Sequence, residues 1–141
     1  MKQMQLQVFT DGGARGNPGP AAVRFVIKTN TETLHEEGIS IGIGTNNQAE
    51  YRGIIEALKW LTQNNKLLPK EVNQVLFSLD SLLVVNQLNG KFKIKNPELR
   101  ELLIQIRALE TSFSATINYG HVSREQNTEA DRMVNKALDK A

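Results

Sequence analysis

Residues 5–27 read QLQVFTDGGARGNPGPAAVRFVI, and the stretch parses as strand, turn, strand. Gln5 to Asp11 alternates, with Leu6, Val8 and Thr10 on one face and Phe9 and Asp11 on the other. The Gly/Pro-rich stretch breaks that strand, and Ala22 to Ile27 forms a second. A polar turn over Lys28 to Thr33 leads to a third, in which Ile39, Ile41 and Ile43 alternate with Ser40, Gly42 and Gly44. Three strands with short links predict an antiparallel meander. One carboxylate, Asp11, stands where the first strand gives way to a nearly side-chain-free turn.

The 141 residues suit one domain, residues 1–141, with a core of its own. At 40% hydrophobic and 23% charged residues the chain reads as soluble and globular. It has no apolar run long enough for a membrane span. Its start, MKQMQLQVF, enters a strand pattern directly and lacks the plan of a signal peptide. With no cysteine, disulfides, thiolate metal sites and Cys nucleophiles are excluded. A reducing compartment fits, and a cytoplasmic location is expected. The net charge of +2 is too small to define a partner by bulk field, so any nucleic-acid affinity must come from a local basic patch.

After the third strand the hydrophobic period changes. Glu50, Ile54, Ala57, Leu58 and Leu61 fall on one face of a helix, with Thr45 and Gln48 spaced as a capping box at its start. Val72 to Asp80 is a fourth strand. Ser81 caps a short helix that Gly90 stops. Asn96-Pro97 opens another, striped by Leu99, Leu102, Leu103 and Ile106. Ala115 to Tyr119 is a fifth strand, residues 121–127 a loop, and residues 128–140 a last helix with Ala130, Val134, Ala137 and Leu138 inward. The order βββαβααβα makes the protein α/β. It predicts a mixed five-stranded sheet covered by helices, with strands four and five reached through helical crossovers.

On that plan Asp11 and Asp80 end strands one and four, at the carboxyl edge where open α/β sheets place ligands. Glu50 lies on the apolar stripe of its helix, in the first turn. Asp131 shares a face with Val134 and Leu138. Each carboxylate alone has a plain structural reading: a helix-start acid complementing the macrodipole for Glu50 and Asp131, a cap for Asp80, an Asx-turn for Asp11. Four carboxylates aimed at one region are another matter, because they repel one another and cost several kcal/mol if nothing balances them. Divalent metal balances them, and an all-oxygen set fits Mg²⁺ or Mn²⁺ rather than zinc. Two such ions about 3.5–4 Å apart can clamp the attacking and leaving oxygens of a phosphodiester. Gly12, Gly13 and Gly16 would then keep the turn thin for an approaching backbone, with positive φ allowed. Asn17 adds hydrogen-bonding atoms, and Pro18 and Pro20 stiffen the return. Neither the P-loop pattern nor G-x-G-x-x-G is present.

The blocks TDGGARGNPGPA, TNNQAEYRGIIEAL, LDSLLVVNQLNG and HVSREQNTEAD, in that order along nearly the whole chain, resemble type 1 ribonuclease H. The resemblance implies the ribonuclease H-like fold. It also implies an endonuclease that cuts the RNA strand of RNA/DNA hybrids and leaves 5′-phosphate and 3′-hydroxyl ends. The implied metal ligands are Asp11, Glu50, Asp80 and Asp131, holding two Mg²⁺ ions with substrate, Mn²⁺ being the substitute. His121 matches a loop histidine that aids turnover and product release. Asn17, Asn46 and Gln48 match residues that touch the RNA strand, and Thr45 and Asn96 match holders of a DNA-strand phosphate. Thr45 and Asn96 also read as plain helix caps, and His121 as an exposed loop histidine.

The chain departs from members that carry a long basic helical insertion, because 15 residues separate Asp80 from Asn96. What remains is GKFKIKN, whose Lys91, Lys93 and Lys95 alternate around Phe92. It is either a small phosphate-tracking patch with an aromatic or a solvated link. No separate N-terminal hybrid-binding domain is evident, so weak, salt-sensitive binding is expected. The expected partner is an RNA/DNA hybrid, with double-stranded RNA as a second candidate duplex, no membrane and no obligate protein partner. Integrases, junction resolvases and reverse-transcriptase-linked domains are competing readings on the same fold, which fold alone does not separate. A non-catalytic hybrid or double-stranded-RNA binding module is the alternative of a different class.

Overall fold

The computed structural model describes residues 4–123, 125 and 138. Strands β1 (Met4–Ala14), β2 (Gly19–Lys28) and β3 (Thr33–Gly44) form the antiparallel meander. Helix α1 (Asn46–Gln63) and a 3₁₀ turn (Asn65–Leu67) lead to β4 (Val72–Leu79). Helices α2 (Leu82–Leu88) and α3 (Pro97–Thr111) precede β5 (Thr116–His121). The sheet order is β3-β2-β1-β4-β5, with β4 parallel to both β1 and β5. No helix among the described residues is long and apolar enough to cross a membrane.

The helix starts follow local chemistry. Thr45 and Gln48 close the capping box: Thr45 Oγ1 accepts from the Gln48 N–H at 3.1 Å, and Gln48 Oε1 accepts from the Thr45 N–H at 2.9 Å. Ser81 Oγ accepts from the Val84 N–H, and Gly90 (φ 76°) ends the segment after α2. Asn96 Oδ1 accepts from the N–H groups of Glu98 and Leu99, with Pro97 opening α3. Residues 89–96 between α2 and α3 carry no helix, so the basic helical insertion is absent here.

Two boundaries differ from the sequence reading. β1 does not stop at Asp11. It runs on through Gly12, Gly13 and Ala14, paired with Val23, Ala22 and Ala21. Glycine lowers strand propensity, but the ladder to β2 needs only backbone groups and overrides it. The turn itself is residues 15–18, where Gly16 takes φ 87°, the Asn17–Pro18 peptide is cis, and the Arg15 N–H donates to Pro20 O at 2.8 Å. β5 starts one residue later than expected and extends to His121, which pairs with Leu79. His121 is therefore a strand-end residue and not part of a loop.

One cluster forms the main core. Leu6 and Val8 of β1, Ile54 and Leu58 of α1, Phe77 of β4 and Ile106 of α3 are all sealed from solvent within it. Burying each such side chain is worth about 1.5–3 kcal/mol. Ala21 and Val23 pack with Ala49 of α1, whereas Ala22, the residue between them, packs with Leu138. Leu138 is helical and covers the other face of β2. The remainder of the expected helix over 128–140, Asp131 included, lies outside the described residues.

Candidate active site

β1 and β4 are parallel neighbours with Phe9 level with Ser78. Two residues further on, that register sets Asp11 beside Asp80, the residue that links β4 to the α2 cap. α1 packs on β1 and β2 and supplies Glu50. One carboxylate oxygen from each of Asp11, Glu50 and Asp80 lies within 4.8 Å of the others. Asp11 is buried and the other two are half-buried. The Gly12 N–H donates to Asp11 Oδ1 at 2.9 Å, which fixes that carboxylate's orientation. α1 begins at Asn46, so Glu50 is its fifth residue, and the first turn holds no acid. The sequence reading of Glu50 as a first-turn residue is corrected, and the macrodipole does not account for it.

Close approach of α1 to β1 makes this meeting possible. A Cβ on Gly12 would fall 2.3 Å from the backbone C and O of Ala49 and 2.6 Å from the Glu50 N. A Cβ on Gly53 would meet Asp11 O at 3.2 Å. Gly12 thus serves contact between helix and strand rather than the thinness of a turn. Gly53 escaped notice because a glycine within a helical stripe carries no outward signal. Arg24, the register partner of Asp11 on β2, is fully buried with a 3.5 Å ion pair to Glu36. An arginine inside a strand pattern gave no reason to expect that burial.

The other candidates gather around this cluster. His121 is exposed, and its Nε2 lies 3.2 Å from Asp80 O. A carbonyl only accepts, so the contact requires the proton on Nε2. Asn17 and Asn46 join the hairpin turn to α1: Asn17 Oδ1 accepts from the Asn46 N–H at 3.1 Å, and Asn46 Oδ1 accepts from the Ala14 N–H at 2.9 Å. Both side chains are exposed and keep their Nδ2 donors for other use. Thr45 and Asn96 cap α1 and α3 as acceptors, which leaves the Thr45 hydroxyl proton and Asn96 Nδ2 able to donate. Lys91, Lys93, Lys95 and Phe92 are exposed, while Ile94 between them is buried and its carbonyl accepts from Arg100 Nε at 2.6 Å. The lysines are thus held outward by an anchored apolar residue.

Two tyrosines brace the elements beneath the site. Tyr51 donates to Gln87 Oε1 at 2.6 Å, tying α1 to α2. Burial, against the Arg107 charge and with a smaller push from Glu50, raises its pKa to about 12. Tyr119 donates to Glu110 Oε2 at 2.6 Å, and burial followed by that bond raises its pKa strongly.

The Reverse transcriptase-like family model matches residues 9–137. The bifunctional protein Rv2228c of Mycobacterium tuberculosis is 41% identical over 98% of this chain, which covers 36% of that protein. The chain thus spans about a third of the length of its mycobacterial relatives. Ribonuclease HI of Halobacterium salinarum is 37% identical over 97% of the chain and 66% of that protein. The solved structure of LC11-RNase H1 in complex with an RNA/DNA hybrid superposes with a TM-score of 0.88 at 40% identity, covering 96% of this chain and 97% of that one. A carboxylate cluster at the β1/β4 edge, the five-stranded mixed sheet and these likenesses lead to one conclusion: the chain belongs to the type 1 ribonuclease H family.

Proposed function

We propose that residues 1–141 act as one ribonuclease H unit that hydrolyses the RNA strand of RNA/DNA hybrids with the help of two divalent cations, Mg²⁺ or Mn²⁺. The observation that carries this reading is the convergence of Asp11, Glu50 and Asp80 within 4.8 Å. An all-carboxylate donor set of that spacing suits a hard divalent cation. Asp131, outside the described residues, is the proposed fourth ligand. When bound, such ions supply the charge that lets water attack at neutral pH and that stabilises the departing 3′-oxygen.

The chain's own residues orient the substrate. The Gly12 N–H holds Asp11 Oδ1, which fixes the orientation of that carboxylate within the cluster. Asn17, whose Oδ1 accepts from the Asn46 N–H, and Asn46, whose Oδ1 accepts from the Ala14 N–H, offer Nδ2 donors to the RNA strand. Such donors can read the 2′-hydroxyl, the group that separates RNA from DNA. Thr45 and Asn96 offer donors for a phosphate of the DNA strand. His121, against the Asp80 carbonyl at the exposed rim, is placed to move a proton as product leaves. Lys91 and Lys93 add charge that follows the backbone.

The test is a panel of end-labelled RNA/DNA hybrid, single-stranded RNA, double-stranded RNA and DNA, with Mg²⁺, Mn²⁺ or chelator. The proposal requires metal-dependent cutting of the hybrid's RNA strand with 5′-phosphate and 3′-hydroxyl ends. Binding of hybrid without any cutting would make the protein a binding module instead.

A further inference from the structure

Both ends of the Gln48 amide are engaged on the protein, and one Nε2 proton remains to donate. Its Oε1 accepts from the Thr45 N–H, and its Nε2 donates to Glu98 Oε2 on α3. Glu98 in turn gives its backbone N–H to Asn96 Oδ1 at 2.9 Å. An unbroken hydrogen-bonded chain therefore runs from the α1 cap, Thr45, through Gln48 and Glu98, to the α3 cap, Asn96. Glu98 is exposed and has no ion-pair partner among the described residues. The cation nearest at hand along the groove between β3, α1 and α3 is Arg52, which donates to Ile41 O. Glu101 also lines the groove, and Ile43, Pro97 and Leu102 give it apolar walls. Gln48 is thus the described side chain that Glu98 bonds.

We infer that Glu98 is a positioning residue for hybrid binding: it orients the Gln48 amide and sets the spacing between the donors of Thr45 and Asn96. The inference rests on the proposed function, which gives Thr45 and Asn96 to a DNA-strand phosphate, and on the resemblance, which gives Gln48 to the RNA strand. Two effects of Glu98 oppose each other. Its hydrogen bond pre-forms the Thr45–Asn96 pair and lowers the ordering cost of binding. Its negative charge repels a phosphate held between the caps. The geometry favours the first, because the bond joins two different helices at their N-termini, where an acid also suits both macrodipoles.

Replacement by alanine and by glutamine separates the two effects. Glu98→Ala removes both bond and charge, whereas Glu98→Gln keeps an acceptor oxygen for Gln48 Nε2 and removes the charge alone. Steady-state cleavage of a labelled hybrid should show KM raised about three- to tenfold by Glu98→Ala, the worth of one hydrogen bond, with kcat unchanged. Glu98→Gln should return KM to the parent value or below. In a Gln48→Ala background, Glu98→Ala should add no further rise, because the two act as one unit. KM unchanged or lowered in Glu98→Ala, a rise not rescued by glutamine, or a full additional rise in the Gln48→Ala background would each overturn the inference. Failure of the functional reading is seen separately, as a parent protein that does not cut hybrid, whether or not it binds it.

Discussion

At the scale of the residue, Gly12 decides whether the cluster forms. Its missing Cβ lets the Ala49–Glu50 backbone press against β1, so the Glu50 carboxylate reaches Asp11. Gly12→Ala should cost about 3 kcal/mol of stability, the upper range for forcing atoms into a packed contact, read as a lowered urea midpoint. An unchanged midpoint would refute the contact. Tyr51 gives a second prediction. Its pKa is about 12 in the fold against 10.0 for the free side chain, because burial disfavours the phenolate. Between those values the unfolded chain has lost the proton and the folded chain keeps it, so stability falls as pH rises through that window and is fully present below it. Tyr119 pushes in the same direction. Tyr51→Phe should flatten this alkaline decline in urea-midpoint measurements; a decline of equal steepness would contradict the assignment. Asp11, Glu50 and Asp80 were legible in the sequence because an acid on an apolar stripe, or where a strand pattern breaks, stands out. Gly53, Arg24 and Glu98 were not, since their importance lies in what sits across from them in space.

At the scale of the element, the caps and alternations carried the fold. Thr45/Gln48, Ser81 and Asn96-Pro97 marked helix starts that the structure shows at those positions, because capping is a local reaction between a side chain and orphan N–H groups. Strand ends were less legible. β1 outlasts its glycines and β5 reaches His121 because ladder partners on other strands, Val23 to Ala21 and Leu79, extend them. Asn96→Ala should lower stability by about 1 kcal/mol through loss of the α3 cap. If Asn96 also holds phosphate, the same variant should raise KM for hybrid while kcat stays. A stability loss with unchanged KM would leave it a cap alone. In the segment between α2 and α3, Lys91→Ala with Lys93→Ala should raise KM more than it lowers kcat. It should also cut the slope of log affinity against log salt by about 2, roughly one unit per lost phosphate contact. The opposite kinetic pattern, or an unaltered slope, would reject the patch.

At the scale of the molecule, the order of elements places three acids from three distant stretches of chain at one sheet edge. A central parallel β1/β4 pair sets Asp11 beside Asp80, and α1, packed on β1 and β2, brings Glu50. The strand count and meander were readable from hydrophobic periods and the parallel strands from the helical crossovers, whereas the sequence left open which strand lies beside β1. The distance between the acids was not readable either, because it depends on how closely helix and sheet approach. The cluster is proposed to drive metal-dependent hydrolysis of the RNA strand. The most direct test compares the parent with Asp80→Asn, a change of nearly equal shape, on a labelled RNA/DNA hybrid over a Mg²⁺ series with a chelator control. RNA cleavage should rise with Mg²⁺, stop with chelator and fall by at least about a hundredfold in the variant, which still folds and binds hybrid. Equal cleavage by Asp80→Asn, or cleavage that persists in chelator, would contradict the proposed role.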